Sequence, residues 1–306
     1  MANEFHTKGL RRAAQSLEGL SCGDAFGERF FLPDSVAKSL IQQRGLPAPP
    51  WFFTDDTVMA FSILETLAEH SEINQDYLAR SFAGRYDPAR GYGTAMHKLL
   101  PTIRRDDQAW RTEAAALFGG EGSYGNGSAM RVAPLGAYFA DTPQKIIAQA
   151  HLSSVPTHTH KEAVAGAIAV ALATGKACLM KNYGQLPNSQ ELLQHVYQHT
   201  PDSIVRLGIR KAIELAPDVS VEAAVARLGN GSAVTSPDTV PFALRCAARH
   251  LSNYEEALWT TVSGLGDRDT TCAIVGGIVV MYAGIEGIPA QWLEHREQIP
   301  NWVSGF

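Results

Sequence analysis

The segment 10–20 reads LRRAAQSLEGL and places apolar side chains at helical spacing. Leu10, Ala13, Leu17 and Leu20 recur every three or four residues, so they share one face of an α-helix. The segment 58–68, VMAFSILETLA, repeats this spacing, and convincing strand-type alternation does not occur in the sequence. The pattern predicts an all-α fold.

Helix boundaries are predicted from capping signals as well as from periodicity. Long helices are expected over about 158–175, 201–215, 238–249 and 270–285, each within about 2–4 residues. Thr142 before Pro143 is typical of an N-cap, Ser252 with Glu255 forms a capping-box pattern, and Pro289 can open a last short helix.

Composition limits the class of protein. The chain has 306 residues, 45% of them hydrophobic, with 26 Lys and Arg against 31 Asp and Glu. The resulting net charge of −5 argues against general nucleic-acid binding. Four dispersed cysteines predict neither a disulfide framework nor a zinc site. With no signal-peptide pattern and no membrane-length apolar run, we expect a soluble cytoplasmic protein, monomeric by default, with residues 1–306 in one domain.

Two acidic runs stand before apolar helices: TDDT at 54–57 and DRDTT at 267–271. Each has a purely structural interpretation, because a Thr or Asp N-cap and acids in the first turn stabilise a helix. The second run does not fit an EF-hand, since Cys272 stands where the loop needs glycine. Together, however, the runs offer four carboxylates and Thr hydroxyls, which suit Mg²⁺ or Mn²⁺. If the two helix starts face each other, two cations could neutralise them.

The segment 119–131, GGEGSYGNGSAMR, is the main glycine-rich loop. It contains GxGxxG, but the preceding segment 110–118 is predicted to be helical and no GK[ST] follows, so neither a Rossmann site nor a P-loop is indicated. Its backbone N–H groups can still approach a diphosphate and lead into a helix N-terminus. Tyr124, Asn126 and Ser128 add a flat face and hydrogen-bonding groups, which favours ligand binding over a plain turn.

Three further polar segments leave alternatives open. Gly27 is interpreted as the C-terminal breaker of the first helix, and Asp24 as a cap or structural acceptor. In THTH at 157–160, one histidine is expected to contact ligand or cap a helix and the other to face solvent, and zinc is not indicated. Asp87, in the turn 86–93, either lines a pocket or only makes the turn.

Six motifs, taken in order, resemble those of the ADP-ribosylglycohydrolase family, which includes the dinitrogenase reductase-activating glycohydrolases. They are GDAFG at 23–27, TDDT at 54–57, ARGYG at 89–93, GNGSAMR at 125–131, TH at 157–158 and DRDT at 267–270. The resemblance implies a single-domain orthogonal helical bundle with two Mg²⁺ ions, or Mn²⁺, in a central cleft. It also implies a hydrolase that removes ADP-ribose from a protein or small-molecule acceptor, with the acceptor left open between arginine, serine and other linkages.

The resemblance also assigns roles to residues of this sequence. The metal ligands would be Thr54, Asp55, Asp56, Asp267, Asp269 and Thr270. Asp55, Asp56 or Asp269 would act as the base that activates water. Substrate would be bound by Glu28, Asp87, Gly122, Tyr124, Gly125, Asn126, Gly127, Ser128 and His158.

Two positions depart from the family pattern. Many relatives have a lid glutamate where this chain has Phe31, which leaves Glu28 as the nearby acid. Arg268 replaces the usual small residue between the two aspartates, and is expected to pair with a substrate phosphate or with a neighbouring carboxylate. These departures support an alternative function, an inactive ADP-ribose-binding protein. A two-metal phosphohydrolase is a third possibility.

Overall fold

The protein, seen in a computed structural model that describes residues 2–306, is built of α-helices and short 3-10 turns, without a β-strand in the described range. The helices are α1 Ala2–Glu28, α2 Asp34–Gln43, α3 Asp55–His70, α4 Gln75–Arg85, α5 Met96–Arg105, α6 Trp110–Ala116, α7 Ala133–Tyr138, α8 Pro143–Ser154, α9 Lys161–Asn182, α10 Ser189–His199, α11 Ile204–Glu214, α12 Val221–Leu228, α13 Ser236–Arg249, α14 Tyr254–Val262, α15 Arg268–Ala283 and α16 Ala290–His295. The all-α prediction is confirmed.

The four long helices predicted from periodicity correspond to α9, α11, α13 and α15. Among the predicted caps, Thr142 does precede α8, and α16 begins directly after Pro289. The Ser252 cap is wrong. Asn253 is the N-cap of α14, because its side-chain oxygen accepts a hydrogen bond from the Glu256 N–H at 3.0 Å.

Helix α1, near the start of the chain, packs tightly against α15, near its end. Gly19, Gly23 and Gly27 recur every fourth residue on α1 and face α15. A Cβ atom added to Gly23 would lie 2.2 Å from the carbonyl oxygen of Cys272, and one added to Gly27 would lie 2.2 Å from that of Arg268. The prediction that Gly27 breaks the helix is therefore wrong: it lies inside α1, where glycine allows the two backbones to touch.

Helix α9 is a second central helix of the core. It contacts α7, α8, α10, α13 and α15. It is long and apolar enough to cross a membrane by length and composition, but 89% of its most apolar window is buried inside the protein. That burial is typical of a core helix. The many alanines of α9 let the neighbouring helices approach closely.

Candidate active site

A cavity of about 410 Å³ opens where the N-termini of α3 and α15 meet the glycine-rich loop. Its size is in the range of small-ligand sites. Its lining includes three stretches of loop, at 91–96, 123–127 and 233–235. The predicted site residues that line it are Asp55, Asp56, Tyr124, Gly125, Asn126, Gly127, His158, Asp267, Asp269 and Thr270.

Asp24 of α1 fixes the start of α3. Its carboxylate is fully buried and accepts hydrogen bonds from the backbone N–H and hydroxyl groups of both Thr54 and Thr57, at 2.5–3.1 Å. Thr54 is the predicted N-cap, and its hydroxyl oxygen also accepts from the Asp56 N–H at 3.3 Å. Thr54 thus holds the start of α3, which presents the two acids, but Thr54 itself lies outside the cavity lining. Its role as a metal ligand stays a prediction.

The start of α15 is fixed by two asparagines. The side-chain amide of Asn126 donates to Asp267 Oδ2 at 2.6 Å and to the Thr239 hydroxyl at 3.0 Å. The Asp267 N–H in turn donates to the Asn230 carbonyl at 3.2 Å. Two residues further, Asp269 accepts from the Thr270 N–H at 2.8 Å. The two acidic runs therefore meet at one cavity, as the sequence allowed but did not establish.

Burial and mutual repulsion raise the pKa of these carboxyl groups. The pKa of Asp55 rises to about 8, through desolvation first and the charge of Asp24 second. The pKa of Asp56 and that of Asp269 lie well above the usual value, again through burial and then through neighbouring carboxylates, Asp269 for Asp56 and Asp267 for Asp269. A cation between the two runs would lower all of these values.

The donor set fits a hard divalent cation. Asp56 Oδ2 is buried and lacks a hydrogen-bond partner among the described residues, so a polar atom points into the cluster unsatisfied. Within residues 2–306, no three His, Cys, Asp or Glu side chains form a complete ligand group by themselves. An ion held here would therefore need other oxygens as well, such as the hydroxyl of Thr270, substrate or water, and Mg²⁺ commonly keeps several waters.

The glycine-rich segment 119–131 contains a three-residue 3-10 turn, Asn126–Ser128, and leads to α7, which begins at Ala133. Two of its predicted ligand contacts lie elsewhere. Gly122 packs against Thr159 outside the cavity lining. The Ser128 hydroxyl donates to the Ala163 carbonyl at 3.0 Å, which is a structural contact.

An identical pentapeptide, GNGSA, occurs at 125–129 and again at 229–233, and the loops that carry the two copies lie side by side. The Asn126 N–H donates to the Val234 carbonyl at 3.3 Å, and the Ser236 N–H donates to the Tyr124 carbonyl at 3.2 Å. The second copy and the residues after it were missed by sequence reasoning, although the repeat itself was a visible signal.

Three exposed apolar side chains surround the mouth of the cavity: Phe118, Tyr124 and Val234, which are 64%, 45% and 53% exposed. Phe118 and Val234 have φ angles of 52° and 55°, a region that β-branched and bulky residues rarely adopt. Such strain is concentrated at functional sites. Of the three, only Tyr124 was predicted.

The two histidines of the THTH segment, His158 and His160, lie in different surroundings. His160 is the N-cap of α9, where its Nδ1 accepts from the Glu162 N–H at 3.2 Å, so the expected solvent-facing histidine instead caps a helix. His158 is buried and lines the cavity. Burial, and secondarily the charge of Arg131, lowers the pKa of His158 to about 3, so its ring is neutral.

Besides Gly122 and Ser128, two further predicted substrate contacts lie outside the cavity lining, Asp87 and Glu28. Asp87 is half exposed, accepts from the Ala89 N–H at 3.0 Å and lies 3.8 Å from Arg90, so its position fits the turn interpretation. Glu28 ends α1, and burial together with the charge of Asp24 raises its pKa to about 7. That Asp87 and Glu28 contact the ligand directly stays a prediction, and the position of neither residue supports it.

Phe31 and Arg268, the two residues that depart from the family pattern, contact each other. Arg268 donates to the Asp34 carboxylate at 2.8 Å, and its guanidinium lies 5.3 Å from the centre of the Phe31 ring. Pairing with a neighbouring carboxylate was one of the two expected outcomes for Arg268. Since Arg268 lies outside the lining of the carboxylate cavity, it adds no positive charge there by direct contact.

Comparison with known proteins identifies the family of this chain. A sequence model of the ADP-ribosylglycohydrolase family matches residues 6–305. The chain is 30% identical to ADP-ribosylhydrolase ARH3 of Homo sapiens, over 95% of this chain and 90% of that protein. It is 34% identical to an uncharacterised protein of Archaeoglobus fulgidus, over 91% and 85%. A solved ADP-ribosylglycohydrolase-related protein complex shares the fold, with a TM-score of 0.65 at 20% identity over 95% and 94% of the two chains.

The family model and the relatives define a hydrolase of glycosidic bonds. More narrowly, the chain belongs to the ADP-ribosylglycohydrolase family, which confirms the resemblance drawn from its six motifs.

Proposed function

We propose that this protein removes ADP-ribose from an ADP-ribosylated protein or small molecule by hydrolysis at C1″ of the distal ribose, with Mg²⁺ or Mn²⁺ as cofactor. The observation that carries the proposal is the meeting of two carboxylate pairs, Asp55 with Asp56 and Asp267 with Asp269, in the cavity that the glycine-rich loop also lines. The carboxylates would neutralise divalent cations, and these cations would in turn neutralise the phosphates of a nucleotide-sized anion.

The carboxylates of α3 and α15, with the Thr270 hydroxyl, would hold two divalent ions. When bound, these ions supply Lewis acidity that binds the ribose hydroxyls and acidifies a water. Asp55, Asp56 and Asp269 are the candidates to take the proton from that water, and Asp24 keeps the first two in place through Thr54. The transition state is expected to resemble an oxocarbenium ion, as in other glycoside cleavages.

The rest of the cavity suits the remainder of ADP-ribose. The backbone N–H of Gly127 can donate to the diphosphate, since the absence of side chains at Gly125 and Gly127 allows close approach. The N–H groups of Gly125 and Asn126 already donate to the Ser123 hydroxyl and the Val234 carbonyl, which holds this part of the loop in place. Phe118 and Tyr124 offer exposed aromatic faces at the mouth, where a base can stack. Apart from the four aspartates, the lining residues that the structure describes carry no charged side chain.

The proposal is tested by incubating the protein with ADP-ribosylated arginine and serine peptides and small-molecule conjugates, in Mg²⁺ and then in EDTA. We expect free ADP-ribose from at least one acceptor in Mg²⁺ and none in EDTA. Tight binding of ADP-ribose without release from any acceptor would instead identify a non-catalytic binder. Phosphate or AMP as the product would identify a phosphohydrolase.

Mg²⁺ should stabilise the protein more at pH 8 than at pH 5.5. The folded-state pKa of Asp55, about 8, lies above its ordinary value of 3.8, so this group favours folding at low pH and loses that contribution as the pH rises towards 8. Mg²⁺ bound to the ionised carboxylates reverses the loss. At 100 times its dissociation constant, Mg²⁺ adds about 2.7 kcal/mol to the free energy of unfolding.

Thermal unfolding with and without Mg²⁺ at the two pH values measures this difference, with NaCl of equal ionic strength as the control. An Asp107→Asn variant, altered in an exposed ion pair with Arg80, should respond as the parent does. An equal Mg²⁺ effect at both pH values would contradict the placement of the ions among these carboxylates.

A further inference from the structure

A buried chain of polar groups leads from the core to the ring of His158. Arg131, the last residue of GNGSAMR, is fully buried, and its Nη2 donates to the Thr157 hydroxyl at 2.8 Å and to the Ser153 carbonyl at 3.1 Å. The Thr157 oxygen lies 2.8 Å from His158 Nδ1. The guanidinium also lies over the Phe82 ring, 4.3 Å from its centre, which fixes its plane.

The direction of each hydrogen bond follows from the number of protons. A guanidinium only donates, so Thr157 accepts from Arg131 and has one proton of its own to give. The possible acceptors are His158 Nδ1 at 2.8 Å and the Ser154 carbonyl at 3.5 Å. The first is a normal hydrogen-bond length and the second is too long, so the Thr157 proton points to Nδ1. In a neutral imidazole whose Nδ1 accepts, the ring proton is on Nε2.

The Nε2 side of the ring faces the glycine-rich loop. A Cβ atom added to Gly127 would lie 2.9 Å from His158 Nε2, and one added to Gly125 would lie 3.5 Å from it. Glycine at these positions leaves the nitrogen open to the cavity, which His158 lines. The neutral state of the ring agrees with its lowered pKa, which burial and the nearby Arg131 charge produce.

We infer that Thr157, oriented by Arg131, is a positioning residue that fixes His158 as the Nε2–H tautomer, so that the ring donates a hydrogen bond to a ligand oxygen held over Gly125 and Gly127. The inference rests on the proposed function for the identity of that oxygen, a phosphate or sugar oxygen of ADP-ribose. It assigns His158 the role of a neutral donor, and excludes it as a general base.

The tautomer can be measured without any ligand. In protein labelled with ¹⁵N-histidine, two-bond ¹H–¹⁵N correlation spectra distinguish a protonated ring nitrogen from an unprotonated one, and the signals that a His158→Gln variant lacks assign His158 among the ten histidines. We expect an unprotonated Nδ1 and a protonated Nε2 throughout pH 6–8. A protonated Nδ1 in the parental protein would overturn the inference.

Variants of Thr157 separate positioning from mere packing. Thr157→Val keeps the shape and removes the hydroxyl, so we expect a shift of the His158 nitrogens towards a mixture of tautomers and a dissociation constant for ADP-ribose about five- to tenfold higher, equivalent to one hydrogen bond. Thr157→Ser retains the hydroxyl and should retain both properties. An unchanged tautomer in a folded Thr157→Val protein would refute the assignment, and if that variant does not fold, the parental and Thr157→Ser spectra still decide it. If the tautomer is as expected but ADP-ribose does not bind the parent, the proposed function fails and the positioning of His158 stands.

Discussion

Replacing Asp269 with asparagine is expected to lower the rate of ADP-ribose release by about 10³-fold or more, the scale on which loss of one preorganised charged group acts on a transition state. Asp269 lines the cavity, and its carboxylate is coupled by repulsion to Asp56 and Asp267. The amide keeps the size of the side chain but removes the charge that would hold a cation or accept a proton. Release of ADP-ribose under saturating Mg²⁺ measures the effect.

The same substitution should not destabilise the fold. The variant has one fewer of the crowded carboxylates, which repel one another when no metal is bound. In EDTA at pH 8, the thermal unfolding temperature of Asp269→Asn is therefore expected to equal or exceed that of the parent. Asp107→Asn is the matched control, because Asp107 is exposed and lies outside the cavity lining. Hydrolysis at the parental rate by Asp269→Asn would remove Asp269 from the proposed site.

A large loss of stability is expected from Gly23→Ala. A Cβ atom there would lie 2.2 Å from the carbonyl oxygen of Cys272 and 2.9 Å from its carbonyl carbon, so backbone must move against backbone. Overpacking of a core generally costs about 1–3 kcal/mol, and we expect the upper end or more because no flexible side chain can give way. Urea denaturation measures the change in the free energy of unfolding.

Gly84→Ala provides the matched control for this prediction. Gly84 lies within α4, and a Cβ atom there would have no described atom within 4 Å. Alanine is a better helix former than glycine by up to about 1 kcal/mol, so the control should be as stable as the parent or more so. If Gly23→Ala is as stable as Gly84→Ala, the close contact between α1 and α15 does not exist in solution.

Local properties of the sequence predicted local features of the structure well. The 3.6-residue periodicity identified the long helices, and the Thr54 cap followed from residue type alone, since the hydroxyl of a threonine satisfies the first free N–H groups of the helix behind it. The two acidic runs were identified for the same reason. Their assembly into one site required the six ordered motifs, because periodicity does not reveal which helix starts face each other.

Features that depend on tertiary contact were the ones that failed. Gly27 was misinterpreted as a breaker, since only the partner helix α15 shows why a side chain is excluded there. The Ser128 hydroxyl, predicted to contact ligand, donates to the Ala163 carbonyl of α9, a contact that only the tertiary structure reveals. Phe118 and Val234 gave no local signal, because their positions at the cavity mouth depend on strained loops. The link from Arg131 through Thr157 to His158 joins two motifs whose residues were already noted, and only distances reveal it.

The contact of α1 with α15 also has a consequence for synthesis, because the two helices lie far apart in the sequence. The start of α3 is held by Asp24 on α1, but the second pair of aspartates stands at the entrance of α15, more than 200 residues later in translation. Contacts so distant in sequence form late and slowly. A nascent chain still lacking α15 exposes the glycine face of α1 and holds only half of the acidic cluster. Hydrolytic activity is therefore expected only after ribosomal synthesis has passed α15.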